Sequence, residues 1–160
     1  MARSKRRGQQ LKDLMTPRVL TVPLGEPASD AFVLMRDAGV RHAVVILGTT
    51  VVGVVSDRDL GGPNGATLRR HRTVQDLMRA EPILATPDMT VAEAVHLVRA
   101  EHIGCLPIVA DGRLVGIVTR TDLLRTLDPD AESEHFAPKL EAIDEVRPEP
   151  LVSPNRDKWP

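Results

Sequence analysis

Hydrophobic and polar positions follow two regular patterns along this chain, and each pattern occurs twice. Apolar residues at helical spacing predict two helices with one buried face each; they are Ala28, Ala31, Phe32 and Met35, then Val91, Ala94, Val95 and Val98. After each predicted helix come two Val/Ile-rich runs of strand length, separated by a short turn. These runs are 43–47 and 51–56, then 106–110 and 114–119.

Shorter signals predict a further strand before each of these helices and a further helix after each strand pair. The first helix is expected to end at Gly39 and the second near 102–104, where glycine permits a left-handed residue. Additional strands are expected at 18–22 and 82–85, and the final helices after Ser56 and Thr119. Each unit therefore has the predicted order β-α-β-β-α.

The turns between the paired strands differ in strength. Asp111-Gly112 is a strong signal for a two-residue hairpin, because both residue types tolerate a positive φ. Gly48-Thr49-Thr50 is a weaker signal of the same kind. Both support antiparallel pairing of the flanking runs.

The whole pattern repeats at an interval of 63 residues, the difference between positions 13 and 76. Asp13-Leu14-Met15 aligns with Asp76-Leu77-Met78, and the run 52–60 aligns with the run 115–123. Two copies are too few for a solenoid. The sequence therefore predicts one mixed α/β (α+β) domain whose halves pack on each other about a pseudo-twofold axis.

The repeats and the local composition divide the chain into five segments. They are a basic arm (1–10), the first repeat (11–60), a Gly- and Arg-rich linker (61–73), the second repeat (74–127) and an acidic, Pro-rich tail (128–160). The tail is expected to be solvated, with a short helix between Asp130 and Val146. Solubility is its expected role, and docking to a partner or covering the partner module in a dimer are the alternatives.

Overall composition excludes several classes of function. A formal charge of −1 gives no general attraction to nucleic acid or membrane surfaces, and no apolar run is long enough for a membrane helix. The single cysteine, Cys105, cannot form an internal disulfide and is expected to be a small buried hydrophobe, which favours a cytoplasmic setting. The clustered basic residues lack interleaved aromatics, so nucleic-acid binding is not favoured; they are Arg3, Lys5, Arg6, Arg7, Arg69, Arg70 and Arg72.

The closing motifs Ser56-x-x-Asp59 and Thr119-x-x-Asp122 support two interpretations. Each has the form of a helix capping box, with Asp in place of the usual Glu or Gln. Each could equally accept hydrogen bonds from the hydroxyls of a ribose, with a phosphate near the helix N-terminus. The two roles are compatible, and the residues alone leave both open.

Taken together, these motifs resemble the cystathionine β-synthase (CBS) domain, and the pair resembles the tandem arrangement called a Bateman module. The resemblance covers residues 11–127 and rests on both Asp-Leu-Met openings, on 104–109, on the Asp111-Gly112 turn and on both closing motifs. It implies a regulatory module and not an enzyme. The expected ligand is an adenine nucleotide (AMP, ADP or ATP) or an S-adenosylmethionine-like molecule, without metal or redox cofactor.

The same resemblance implies a homodimer that acts on an unidentified effector protein, and two ligand clefts shared between the halves. The first cleft would use Val54, Ser56 and Asp59 with Ile108, and the second Ile117, Thr119 and Asp122 with Val44. The alternative is an interaction or scaffold protein whose clefts are degenerate and empty.

Basic residues are expected to make the two clefts unequal. Arg41, His42 and Arg58 would lie where this family often binds phosphates, although solvated side chains are the alternative for each. The second repeat has Gly104-Cys105 at the position of Arg41-His42, and Arg120 lies one position earlier than Arg58. The first cleft is therefore expected to bind ligand better. Asp57 and Asp59 have no accompanying nucleophile or metal cluster, which argues against catalysis.

Overall fold

The computed structural model describes residues 8–127 and the short strand at 151–152. Its strands are β1 (Leu20–Pro23), β2 (His42–Leu47), β3 (Thr50–Ser56), β4 (Arg79–Ala80), β5 (Cys105–Ala110), β6 (Arg113–Thr119) and β7 (Leu151–Val152). Its helices are α1 (Ala28–Ala38), α2 (Ala66–Arg69), α3 (Val74–Leu77), α4 (Val91–Ala100) and α5 (Arg120–Leu127), with a 3-10 turn at Leu11–Asp13. The predicted mixed α/β class is confirmed. The basic residues 3–7 and the predicted tail helix lie outside the described residues.

The described residues form two compact units. The first-repeat unit contains residues 18–82 and β7, and the second-repeat unit contains residues 8–17 and 83–127. Each unit is thus built from the body of one sequence repeat and the opening segment of the other. Leu11 illustrates the exchange, because it is fully buried in the core formed by residues of the second repeat.

The first-repeat unit has a five-stranded sheet in the order β4-β3-β2-β1-β7. β2 and β3 form an antiparallel hairpin with Gly48 in the left-handed conformation at its turn (φ +63°), while β1 lies parallel to β2. α1 buries one face against this sheet and ends at Gly39, whose φ of +66° matches the predicted helix stop. Aliphatic side chains fill the core; its fully buried members include Val22, Ala28, Ala31, Ala43, Val45, Val55, Leu60 and Val74.

The second-repeat unit has a smaller sheet, the antiparallel pair β5-β6. Asp111 and Gly112 both have positive φ (+50° and +75°), as the hairpin signal predicted. The strand expected at 82–85 is wrong, because only Ala85 pairs, through bonds to the backbone of Pro107 and Val109 at 2.9 Å each. Pro82 has no N–H to extend the ladder.

In each unit a methionine side chain packs against a glycine. A Cβ added at Gly53 would lie 2.5 Å from Sδ of Met78, and one added at Gly116 would lie 2.6 Å from Sδ of Met15. The methionine of each Asp-Leu-Met motif therefore packs on the glycine that lies three residues before the other repeat's closing motif. This contact joins the opening segment of one repeat to the body of the other within each unit.

The helix expected after Ser56 is also wrong. The chain makes a single helical turn, in which the Leu60 N–H donates to the Ser56 carbonyl at 3.2 Å. Gly61 and Gly62 then adopt positive φ (+80° and +59°), which ends the helical path. The corresponding position after Thr119 does begin a helix, α5.

Candidate functional site

The first closing motif has the hydrogen bonds of a capping box. Oδ2 of Asp59 accepts from the Ser56 backbone N–H and from its hydroxyl, both at 2.7 Å, while the Asp59 N–H donates to Ser56 Oγ at 3.2 Å. Ser56 lies at the end of β3, and the single turn after it places Asp59 beside it. This geometry agrees with the capping interpretation.

The second closing motif repeats the geometry at the start of a complete helix. Oδ2 of Asp122 accepts from the Thr119 N–H and hydroxyl, both at 2.8 Å, and the Asp122 N–H donates to Thr119 Oγ1 at 3.3 Å. Thr119 ends β6, and α5 begins directly after it. The two motifs thus have the same internal bonds, but only the second leads into a full helix.

One carboxylate oxygen of each motif remains for another donor. Within residues 8–127, the hydrogen bonds to Asp59 and Asp122 all go to Oδ2, and none goes to Oδ1. Asp59 is exposed and Asp122 is half-buried. Because a carboxylate can accept several hydrogen bonds, the capping role leaves each group able to bind a hydroxyl as well.

The same capping box occurs at Thr73 and Thr90, where the sequence suggests no ligand and where no cap is predicted above. Oδ2 of Asp76 accepts from the Thr73 N–H (2.8 Å) and hydroxyl (3.1 Å), and Glu93 accepts likewise from Thr90. The backbone N–H of Thr73, followed by its hydroxyl, lowers the pKa of Asp76. The hydroxyl of Thr90, followed by its N–H, lowers the pKa of Glu93. The box alone therefore does not identify a ligand site, although the pattern Thr-x-x-Asp/Glu would have located these helix starts.

Basic residues adjoin the first motif within its own unit. The Arg41 carbonyl accepts the Asp57 N–H at 3.0 Å, and His42 lies opposite Ser56 in the β2–β3 pair. The Arg41 side chain is exposed, as is that of Arg58 in the turn itself. The structure thus brings all of these predicted residues to one end of the sheet.

The second motif has a different neighbourhood. The Gly104 carbonyl accepts the Arg120 N–H at 2.9 Å, which is the counterpart of the Arg41 contact. Arg120 turns its guanidinium back onto the Ile103 carbonyl at 3.1 Å. Cys105 beside it is buried, as expected of a small hydrophobe. The first motif thus has Arg41 and His42 beside it. The second has Gly104 and Cys105 there, and its arginine is bonded to a backbone carbonyl.

The predicted apolar wall residues occupy the strands. Val54 is half-buried on β3 directly opposite Val44 on β2, and Val44 is fully buried. Ile117 is 8% exposed on β6, whereas Ile108 is fully buried in the core of the second-repeat unit. Sharing of the clefts between the repeats stays a prediction.

Arg69, one of the clustered basic residues, is buried in the fold. Its side chain is 7% exposed, so it does not contribute to a basic surface, whereas Arg70 and Arg72 are exposed.

Among residues 8–127 no group of His, Cys, Asp and Glu has the arrangement of a metal site. Over the part of the chain that the structure describes, no helix is both long and apolar enough to cross a membrane.

The family is shown by comparison with known proteins. The sequence profile of the CBS domain matches residues 11–60 and 74–129, so two copies cover most of the chain. The chain belongs to the CBS domain family, as a tandem pair.

Relatives of this chain include both larger proteins and proteins of similar size. Over 107 residues it is 36% identical to inosine-5'-monophosphate dehydrogenase of Korarchaeum cryptofilum, a match that covers 66% of this chain but only 21% of that enzyme. It is 33% identical to the CBS domain-containing protein YhcV of Bacillus subtilis, covering 71% of this chain and 81% of YhcV. A solved structure of CBSX2, a CBS-pair protein of Arabidopsis thaliana, in complex with AMP has a TM-score of 0.66 and 29% identity, covering 78% of this chain and all of CBSX2.

Proposed function

We propose that this chain is a regulatory module, not an enzyme, that binds an adenine nucleotide or an adenosyl ligand at its closing motifs. The observation that carries the proposal is the unused Oδ1 of Asp59, held next to the Ser56 hydroxyl and close to exposed arginines. The AMP complex of CBSX2, at 29% identity, supports the same ligand class.

Each part of such a ligand has a candidate partner at the first motif. The ribose hydroxyls donate to Asp59 Oδ1, and the phosphate is attracted by Arg41 and Arg58. Val54 offers an aliphatic surface to the base. Ile117, Thr119 and Asp122 form the second, less basic site.

Regulation arises from differential affinity. A ligand that binds one conformation of the module better shifts the population toward it, and an effector protein recognises that conformation. AMP, ADP, ATP and S-adenosylmethionine are the candidate ligands.

A thermal-shift measurement tests the proposal. Ligand at about a hundred times its dissociation constant adds about 2.7 kcal/mol to the free energy of unfolding, so we expect the Tm to rise by roughly 5–15 °C. The matched control is 2′-deoxy-AMP, which lacks one ribose hydroxyl and is expected to give a smaller shift. If none of the candidates moves the Tm at millimolar concentration, an interaction or scaffold protein with empty clefts replaces this proposal.

We also propose that the module forms a homodimer through apolar side chains on its helices. Val33 on α1 is 40% exposed, and Leu124 and Leu127 on α5 are 55% and 59% exposed. Light scattering at tens of micromolar is expected to give twice the 17.5 kDa chain mass. Leu124→Glu is expected to shift this mass toward the monomer, whereas Leu47→Glu, on β2, is the control. A monomeric wild-type chain would exclude the dimer.

A further inference from the structure

The turn that presents Asp59 lacks the helix that supports its counterpart, Asp122. In the second-repeat unit, α5 continues for eight residues after Thr119 and fixes the first turn through its own backbone bonds. After Ser56 the helical path stops at Gly61, and the Leu60 carbonyl receives no backbone N–H within residues 8–127, whereas the Gly62 carbonyl receives one from Gly65 at 3.1 Å. Another group has to satisfy the Leu60 carbonyl.

Arg69 supplies that group. Its Nη1 donates to the Leu60 carbonyl at 2.6 Å and to the Gly62 carbonyl at 2.7 Å, on the two sides of Gly61. Leu60, the first of the two residues, directly follows Asp59 in the chain. One buried guanidinium therefore caps the turn in place of the missing helix.

The same guanidinium group also stacks on a ring of the first-repeat unit. Its Cζ lies 4.0 Å from the centre of the Phe32 ring on α1, at the distance of a cation–π contact. Close packing supports the same loop, because a Cβ added at Gly65 would lie 2.5 Å from the Leu60 carbonyl oxygen. Arg69 thus connects the turn after Asp59 to the helix that packs on the sheet.

We infer that Arg69 is a positioning residue for ligand binding at the first motif: it holds the turn, and through it the Asp59 carboxylate, in the orientation that accepts the ribose hydroxyls. The inference rests on the proposed function. Phe32 assists by fixing the plane of the guanidinium. Lysine could donate to one or both carbonyls but has no planar group to stack on the ring.

The test compares AMP with 2′-deoxy-AMP by calorimetric titration, in an Asp122→Ala background so that the remaining binding reports on the first motif. We expect Arg69→Met to weaken AMP binding by about 10-fold, since an ordered site loses preorganisation. The ratio of AMP affinity to 2′-deoxy-AMP affinity should also fall toward one, and Arg69→Lys should recover part of both effects. Arg70→Met, at the exposed neighbouring arginine, is the matched control.

The ratio distinguishes positioning from general stability. A variant that is only less stable lowers the Tm and leaves the preference for the 2′-hydroxyl unchanged, so an unchanged ratio at a temperature where the protein is folded overturns the inference. If Arg69→Met does not fold, Arg69→Lys and Arg70→Lys are compared in the same way. A wild-type chain that binds none of AMP, ADP, ATP and S-adenosylmethionine overturns the proposed function and this inference together. Loss of AMP binding in Asp122→Ala alone, or normal discrimination in the Arg69 variants, overturns only this inference.

Discussion

Asp59→Ala is expected to weaken AMP binding by roughly 10- to 150-fold, which corresponds to about 1.5–3 kcal/mol for hydrogen bonds to a charged acceptor. The physical reason is that the substitution removes Oδ1, the oxygen left over by the capping box, as well as Oδ2. Calorimetric titration with AMP measures the effect. Asp122→Ala is expected to cost less, because the second motif has the uncharged Gly104 in place of Arg41, and its Arg120 guanidinium is bonded to the Ile103 carbonyl.

Asp76→Ala provides a matched control for the loss of a cap. Asp76 accepts the same pair of bonds from Thr73 that Asp59 accepts from Ser56, yet it belongs to no proposed site. If both motifs are only caps, the Asp59 and Asp76 variants should lose similar stability and bind AMP like the wild type. Equal AMP affinity in Asp59→Ala and the wild type would end the ribose assignment.

Leu11→Ala is expected to destabilise the second-repeat unit by about 2–5 kcal/mol, although Leu11 belongs to the first repeat in sequence. Leu11 is fully buried in the core that contains Leu106, Ile108 and Val118. Chemical denaturation gives the magnitude, and hydrogen exchange gives the location, since amides in 83–127 should exchange faster than those in 18–82.

Leu47→Ala is the matched control for this substitution. It removes the same atoms from a side chain that is 61% exposed and lies outside the proposed dimer interface, so its effect on stability should be small. Faster exchange confined to 18–60 in Leu11→Ala would contradict the exchange of opening segments between the repeats.

Local patterns predicted most of the elements. The apolar stripe starting at Ala28 and the run 43–47 correspond to α1 and β2, because helical and strand periodicities are properties of adjacent residues. The repeat itself was visible as a fixed interval, and the family profile matched both copies. The prediction of a helix after Ser56 is wrong, because Gly61 and Gly62 adopt left-handed conformations and end the helical path.

Long-range contacts account for the features that the sequence did not reveal. Nothing near Met15 in sequence indicates that it packs on Gly116, about a hundred residues away. Arg69 resembled a solvent-exposed linker arginine, and only the fold shows that it caps the turn after Asp59. The paired motifs of the site were recognisable, whereas the residue that orients one of them was not.

The exchange of opening segments also sets an order of events during synthesis. Apart from β7, the first-repeat unit is one continuous stretch, so it can close as soon as residue 82 has left the ribosome. Leu11 has no core to join until 83–127 is made, and its segment must then close a loop over the intervening 65 residues (82 − 17). Leu11, Leu14 and Met15 therefore remain without their packing partners in the nascent chain until 83–127 has been made.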